Sequence, residues 1–154
     1  MAQLKEGDMA PAFTGADQNG NSISLSELTG KKVILYFYPR DNTPGCIAEA
    51  CNLRDNFSKL KNMGFEVIGV SADSEKSHQN FISKYELPFN LISDTDKDVL
   101  KAYGAWGTKK MYGKEYEGII RKTFVIDESG KIIKIFEKVD TKDHTNQIIT
   151  ALNA

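Results

Sequence analysis

The run Val33-Ile-Leu-Tyr-Phe-Tyr38 is continuously β-branched or aromatic, without the alternation of a half-exposed strand, and predicts a central strand buried on both faces. Pro39 stops it. Over residues 44–63 the apolar positions Ile47, Ala50, Cys51, Phe57 and Leu60 recur at roughly helical spacing and Gly64 follows as a stop, so one helix is predicted there. Residues 65–70 read as a second strand and residues 74–85 as a second helix, ended by Leu87-Pro88. Residues 89–92 predict a short strand, after which Asp94 or Thr95 caps a short helix through Tyr103, closed by Gly104. Residues 105–118 hold three glycines and no clear period, and read as a surface excursion. Two strands at 121–126 and 131–136 are joined by Asp127-Glu-Ser-Gly130, a hairpin signal, and a last helix at 141–152 turns Ile148, Ile149 and Leu152 inward. Ahead of all these, residues 11–13 and 23–25 flank the turn-rich Asp17-Gln-Asn-Gly20-Asn21 and predict an N-terminal hairpin.

Composition narrows what such a chain does. With 154 residues, no repeat and no low-complexity linker, residues 1–154 read as a single domain large enough to bury a core without disulfides or a structural metal. Lys+Arg at 20 against Asp+Glu at 21 gives a net charge of -1, which argues against nucleic acid as a partner. No apolar stretch near Met1 resembles a secretory signal and no run is long enough to span a bilayer, so no membrane association and a cytoplasmic location are expected. In that reducing compartment a close cysteine pair is more plausibly catalytic or metal-binding than a lasting crosslink. A Cys2His2 site would need His78 and His144, and neither stands at finger-like spacing, so no metal and no cofactor are expected. Both histidines lie among polar neighbours and read as solvated helix positions.

The chain's only cysteines, Cys46 and Cys51, stand where the central strand gives way to the predicted helix, within Tyr38-Pro-Arg-Asp-Asn-Thr-Pro-Gly-Cys46-Ile-Ala-Glu-Ala-Cys51. Cys46 falls in the first helical turn, where free backbone N–H groups and the helix dipole favour an anion, here a nucleophilic thiolate. Attack by such a thiolate would develop negative charge that fixed donors near the sulfur would stabilise; Thr43 and Arg121 are suitable donors. Antiparallel pairing of residues 121–126 with 33–38 would bring Arg121 to the Cys46 loop; otherwise it reads as an exposed strand-end cation. Glu49 serves equally as a first-turn acid or as a partner orienting that arginine, and Trp106 reads as a packing anchor rather than a substrate contact.

The element order matches an α/β thioredoxin-like sandwich, a central mixed sheet flanked by helices, with the N-terminal β-hairpin as an extension. The motif Pro39-x-x-x-Thr43-x-x-Cys46, with Glu-Ala-Cys51 following and Trp106-Gly-Thr-Lys-Lys and Thr123-Phe-Val-Ile-Asp127 further on, resembles the peroxiredoxins, in particular the bacterioferritin comigratory or Q subgroup. The resemblance implies Cys46 as the peroxidatic cysteine, Thr43 and Arg121 as its polar partners, Pro39 as a shield of the pocket, Glu49 as the acid orienting the arginine, and Cys51 as the resolving cysteine. Ile47 departs from the Thr that relatives often carry, at a side chain outside these partnerships. A hydroperoxide substrate, a thioredoxin-like reductant and a monomeric state are implied as well. Positions five apart on an intact helix have Cα atoms about 8.7 Å apart, and a disulfide needs less than about 7 Å. Bond formation between Cys46 and Cys51 would therefore require the first turns to unwind. Two other readings stay open: a thiol–disulfide oxidoreductase, against which four residues rather than two separate the cysteines, and a non-enzymatic redox-sensing module.

Overall fold

The structure is a computed structural model and describes residues 3–153. A short hairpin of β1 (Thr14–Ala16) and β2 (Ser22–Ser24) leads through a 3-10 turn at Leu25–Leu28 into β3 (Lys32–Phe37). After the loop at 38–43 come α1 (Pro44–Asp55), α2 (Phe57–Asn62), β4 (Phe65–Ser71) and α3 (Glu75–Tyr85). The chain then runs through β5 (Asn90–Ser93), α4 (Asp98–Ala102), β6 (Trp106–Met111), β7 (Lys114–Ile119), β8 (Lys122–Ile126), β9 (Ile132–Phe136) and α5 (His144–Asn153).

Seven strands form one mixed sheet in the order β2-β1-β5-β4-β3-β8-β9. The central strand β3 pairs parallel with β4 and antiparallel with β8, the βαβ-then-hairpin arrangement expected. The expected N-terminal hairpin is present and extends the sheet at one edge, where β1 pairs with β5 through Ala16 opposite Ser93. Strand periodicity divides the core. Val33, Leu35 and Phe37 point to one face and pack with Val99, Leu100, Tyr103 and Phe124, while Ile34, Tyr36 and Tyr38 point to the other with Cys46, Ala50, Leu53, Phe81 and Ile148. Helices α1, α3 and α5 thus cover one face and α4 the other. Gly69 on β4 is required by close approach: a Cβ there would lie 2.7 Å from Leu91 Cδ2 and 2.8 Å from Tyr36 Cζ.

Three sequence expectations are corrected. The helix predicted over 44–63 is broken at Asn56, whose side-chain amide donates to the Asn52 carbonyl at 2.8 Å and so competes for an acceptor of the helical ladder. The excursion at 105–118 is an antiparallel hairpin, β6 on β7, turning through Tyr112 and Gly113 with φ of 54° and 79°. A two-residue turn with both φ positive favours Asn-Gly or Asp-Gly, and Tyr-Gly lacks that signature. Most of β7 is exposed, so no apolar alternation betrays it either. Finally, His78 and His144 are fully buried: α3 turns Gln79 and Asn80 outward while His78 shares the inward face with Phe81, and on α5 His144 lies inward with Thr145 and Ile148.

Candidate active site

Helix α1 opens at Thr43, with Pro44 in its first turn and Ile47 N–H making the first intrahelical bond, to the Thr43 carbonyl at 2.8 Å. Cys46 therefore sits among the amides that precede the helical ladder, with its side chain buried against Ile34, Tyr36 and Tyr38. Register brings the arginine to it: Phe37 pairs with Lys122, so Arg121, one residue before β8 begins, lies beside the end of β3, where the chain leaves for the Cys46 loop. Arg121 Nη2 donates to Cys46 Sγ at 3.3 Å and Nη1 donates to Glu49 Oε1 at 2.5 Å. Glu49 is fully buried and only 22% of the arginine side chain is exposed, so this is an ion pair largely out of water.

Burial pushes the Glu49 carboxyl up to about 7, against the opposing pull of the Arg121 charge and its hydrogen bond. For Arg121 burial acts downward, but Glu49 and Cys46 outweigh it and raise its pKa above the ordinary guanidinium value, so the guanidinium stays charged. Tyr36, beneath the site, is raised well above the phenol range by burial and by Glu49 and Cys46, and keeps its proton.

Thr43 was expected as a donor. Its hydroxyl hydrogen instead goes to the Arg40 carbonyl at 2.8 Å, which leaves the oxygen with accepting capacity only. Pro39 is half-buried just past β3, in the loop that leads to the helix. Cys51 lies on the same unbroken α1 as Cys46, both as free thiols, Cys46 buried and Cys51 half-buried. Trp106 packs partly buried against the α4-side core, with Lys97 Nζ 5.3 Å from its ring centroid.

Other residues at the site were assigned no functional role from the sequence. Gly45 is one: a Cβ there would lie 3.1 Å from Arg121 Nη2, so its missing side chain leaves room for the guanidinium. Asp41, Asp73 and His78 form a second group, within 4.8 Å of one another. Each ligand atom is already engaged: Asp41 Oδ2 accepts from Ser77 Oγ and faces His78 Nδ1 at 2.7 Å, Asp73 Oδ2 accepts from Asp41 N–H and Ser71 Oγ, and His78 Nε2 donates to the Ile92 carbonyl at 3.0 Å. With Tyr38 OH donating to Asp41 Oδ1 at 2.6 Å, the cluster fastens the 38–43 loop to α3 and β5. His144 is the third, behind Glu49, and the inward spacing of His144 with Ile148 was the available signal.

Residues 6–135 match the AhpC/TSA family. Peroxiredoxin Bcp of Escherichia coli K12 is 42% identical over 152 residues, covering 99% of this chain and 97% of that one. The chain belongs to the AhpC/TSA family of peroxiredoxins. Solved peroxiredoxin structures agree with it in fold. Peroxiredoxin Q of Xylella fastidiosa is 30% identical and superposes with a TM-score of 0.91, covering 99% of this chain and 98% of that one. The bacterioferritin comigratory protein of Xanthomonas campestris is 33% identical, with a TM-score of 0.85 over 92% of this chain and 90% of that one. The thioredoxin-like peroxiredoxin fold is thereby established, as is the resemblance to the Bcp and Q subgroup. Peroxiredoxins are thiol peroxidases, and membership assigns that reaction class to this chain.

Proposed function

We propose that this peroxiredoxin reduces hydrogen peroxide and organic hydroperoxides at Cys46 and resolves the product through Cys51. The observation that carries the reading is Arg121 holding Cys46 Sγ and Glu49 Oε1 at once, at 3.3 and 2.5 Å. The Cys46 thiolate attacks the terminal oxygen of R–O–O–H, the O–O bond breaks, sulfur is oxidised to Cys46–S–OH, and RO⁻ leaves to take a proton from water. Arg121 stabilises the negative charge with its remaining N–H groups, Thr43 accepts the hydroperoxide O–H, and Pro39 walls the pocket. The alkyl peroxide reduction activity of the Xanthomonas campestris bacterioferritin comigratory protein supports organic hydroperoxides as substrates.

Resolution follows by unwinding of the first turns of α1 and attack of Cys51 on the sulfenic sulfur, which forms the disulfide and releases water. A thioredoxin-like dithiol restores both thiols by exchange. The unit that does this is a monomer, one domain over residues 1–154.

The test is peroxide-dependent, thioredoxin-linked reductant consumption by three proteins. Wild type turns over repeatedly, Cys46→Ser consumes no peroxide, and Cys51→Ser forms one sulfenic acid per chain and then stalls. Peroxide consumption by Cys46→Ser would overturn the nucleophile, and wild-type turnover by Cys51→Ser would overturn the resolver. Single-step oxidation without turnover in the wild type would favour a redox sensor, and disulfide reduction without peroxide a thiol–disulfide oxidoreductase.

A further inference from the structure

Glu49 presents its two carboxylate oxygens to different surroundings. Oε1 is held by Arg121, whereas Oε2 is buried without a hydrogen-bond partner among the described residues. An unsatisfied buried oxygen is costly and calls for a reason. A titratable atom faces it: His144 Nε2 lies 3.7 Å away, and both side chains are fully buried.

The proton on that imidazole is located by its other partners. Gln147 Nε2 donates to the Lys138 carbonyl at 2.8 Å, so the amide oxygen faces the other way, accepting from Asp140 N–H at 2.9 Å and from His144 Nδ1 at 2.8 Å. An oxygen acceptor requires N–H at Nδ1, which leaves Nε2 bare in the neutral ring. Thr123 Oγ1, at 2.8 Å, then donates its hydrogen to Nε2. Phe136 packs edge-on against the ring and fixes its plane. Nε2 thus accepts from Thr123 and carries no hydrogen of its own to offer Glu49 Oε2, 3.7 Å away.

We propose that His144 is a positioning residue of the peroxidase site: its bare Nε2 beside Glu49 Oε2 forms a seat for one proton and governs whether Glu49 meets Arg121 as an acid or as a carboxylate. The inference rests on reading Cys46 as the nucleophile that Arg121 serves. Nε2 has one lone pair, which takes the Thr123 hydroxyl when Glu49 is ionised and the carboxyl hydrogen of Glu49 when it is not. A protonated Glu49 leaves the guanidinium charge to Cys46 and the peroxide; an ionised one shares it. The other charged or titratable groups facing this seat are Arg121 and Cys46 at the site, Tyr36 from β3, and Asp140 ahead of α5.

The test reads the Glu49 carboxyl directly by ¹³C NMR titration of the reduced protein without peroxide, the signal being assigned by its loss in Glu49→Gln. In the wild type the midpoint lies at about 7. His144→Gln places an amide N–H at similar reach, and donation to Oε2 lowers the midpoint by about one to two pH units, the worth of one hydrogen bond to a charged group. Gln147→Leu releases the Nδ1 proton from its acceptor, lets the ring present Nε2–H to Glu49, and moves the midpoint the same way. A midpoint unmoved in both variants would overturn the proposal. If His144→Gln fails to fold by thermal melt, Gln147→Leu alone decides. Because no turnover is measured, that failure leaves the peroxidase reading standing, and peroxide consumption by Cys46→Ser would sink the latter without touching the titration.

Discussion

Replacing Glu49 by Gln keeps the size and one hydrogen-bond acceptor of the side chain and removes its titration. The ordinary carboxyl value is 4.5 and burial lifts it to about 7 in the folded state. Folding therefore binds this proton more tightly than the unfolded chain does. The resulting stabilisation is fully present below 4.5 and is lost as pH rises through about 7, an interval that corresponds to roughly 3 kcal/mol. The side chain is fully buried, so solvent screening does not reduce this. His144 works in the opposite sense: burial lowers it from 6.5 to about 4, so its contribution is present above 6.5 and is lost as pH falls through about 4. In the wild type the two slopes offset each other across the overlap. Glu49→Gln leaves the His144 slope exposed, and its stability relative to wild type improves by roughly 3 kcal/mol between pH 4.5 and about 8. Guanidinium unfolding of both reduced proteins, at steps across this range, measures the difference at each pH. Two curves running parallel throughout would refute the reasoning, because Glu49 would then titrate alike in the folded and unfolded states.

Other substitutions probe the frame around the site. Gly45→Ala puts a Cβ 3.1 Å from Arg121 Nη2, displaces the guanidinium from Cys46, and lowers kcat/KM for peroxide by about tenfold with the melting temperature little changed. Gly69→Ala drives a Cβ into Leu91 and Tyr36 and destabilises the fold by about 1–3 kcal/mol in denaturant titrations. Asn52→Ala removes the side-chain acceptor for Thr145 N–H at 2.8 Å and the amide donor to the Lys142 carbonyl at 3.2 Å, loosens α5 from α1, and costs about 1–2 kcal/mol by the same measurement.

The parts of this structure that were legible in the sequence are those written in local periodicity. The unbroken apolar run of β3 announced a two-faced central strand, and antiparallel pairing of the segment after Arg121 was enough to carry a residue 75 positions away onto Cys46. The β6–β7 hairpin was illegible because an exposed two-stranded ribbon needs no apolar face and its Tyr-Gly turn is not a favoured pair. His78 and His144 were misread for a different reason. Flanking polarity reports what the neighbours need, whereas a helix turns each neighbour by about 100° and places it in a different environment. The Thr43 hydroxyl also lay beyond sequence reasoning, since its partner is a main-chain carbonyl whose direction is set by the course of the 38–43 loop. Nor does spacing reveal the break at Asn56, because apolar periodicity continues across it into α2.

Glu49 lies between Cys46 and Cys51, on the stretch of α1 that the proposed resolution must unwind. Unwinding carries its carboxyl from the protein interior into water, where the value returns toward 4.5 from about 7. In the proposed cycle, at a pH between these two values, the proton held in the folded site would be shed to the medium when the disulfide closes and recaptured when reductant opens it. The reduction potential of the proposed disulfide would therefore acquire a dependence on acidity from a group that is neither of its sulfurs, with an acidic medium biasing the equilibrium toward the dithiol.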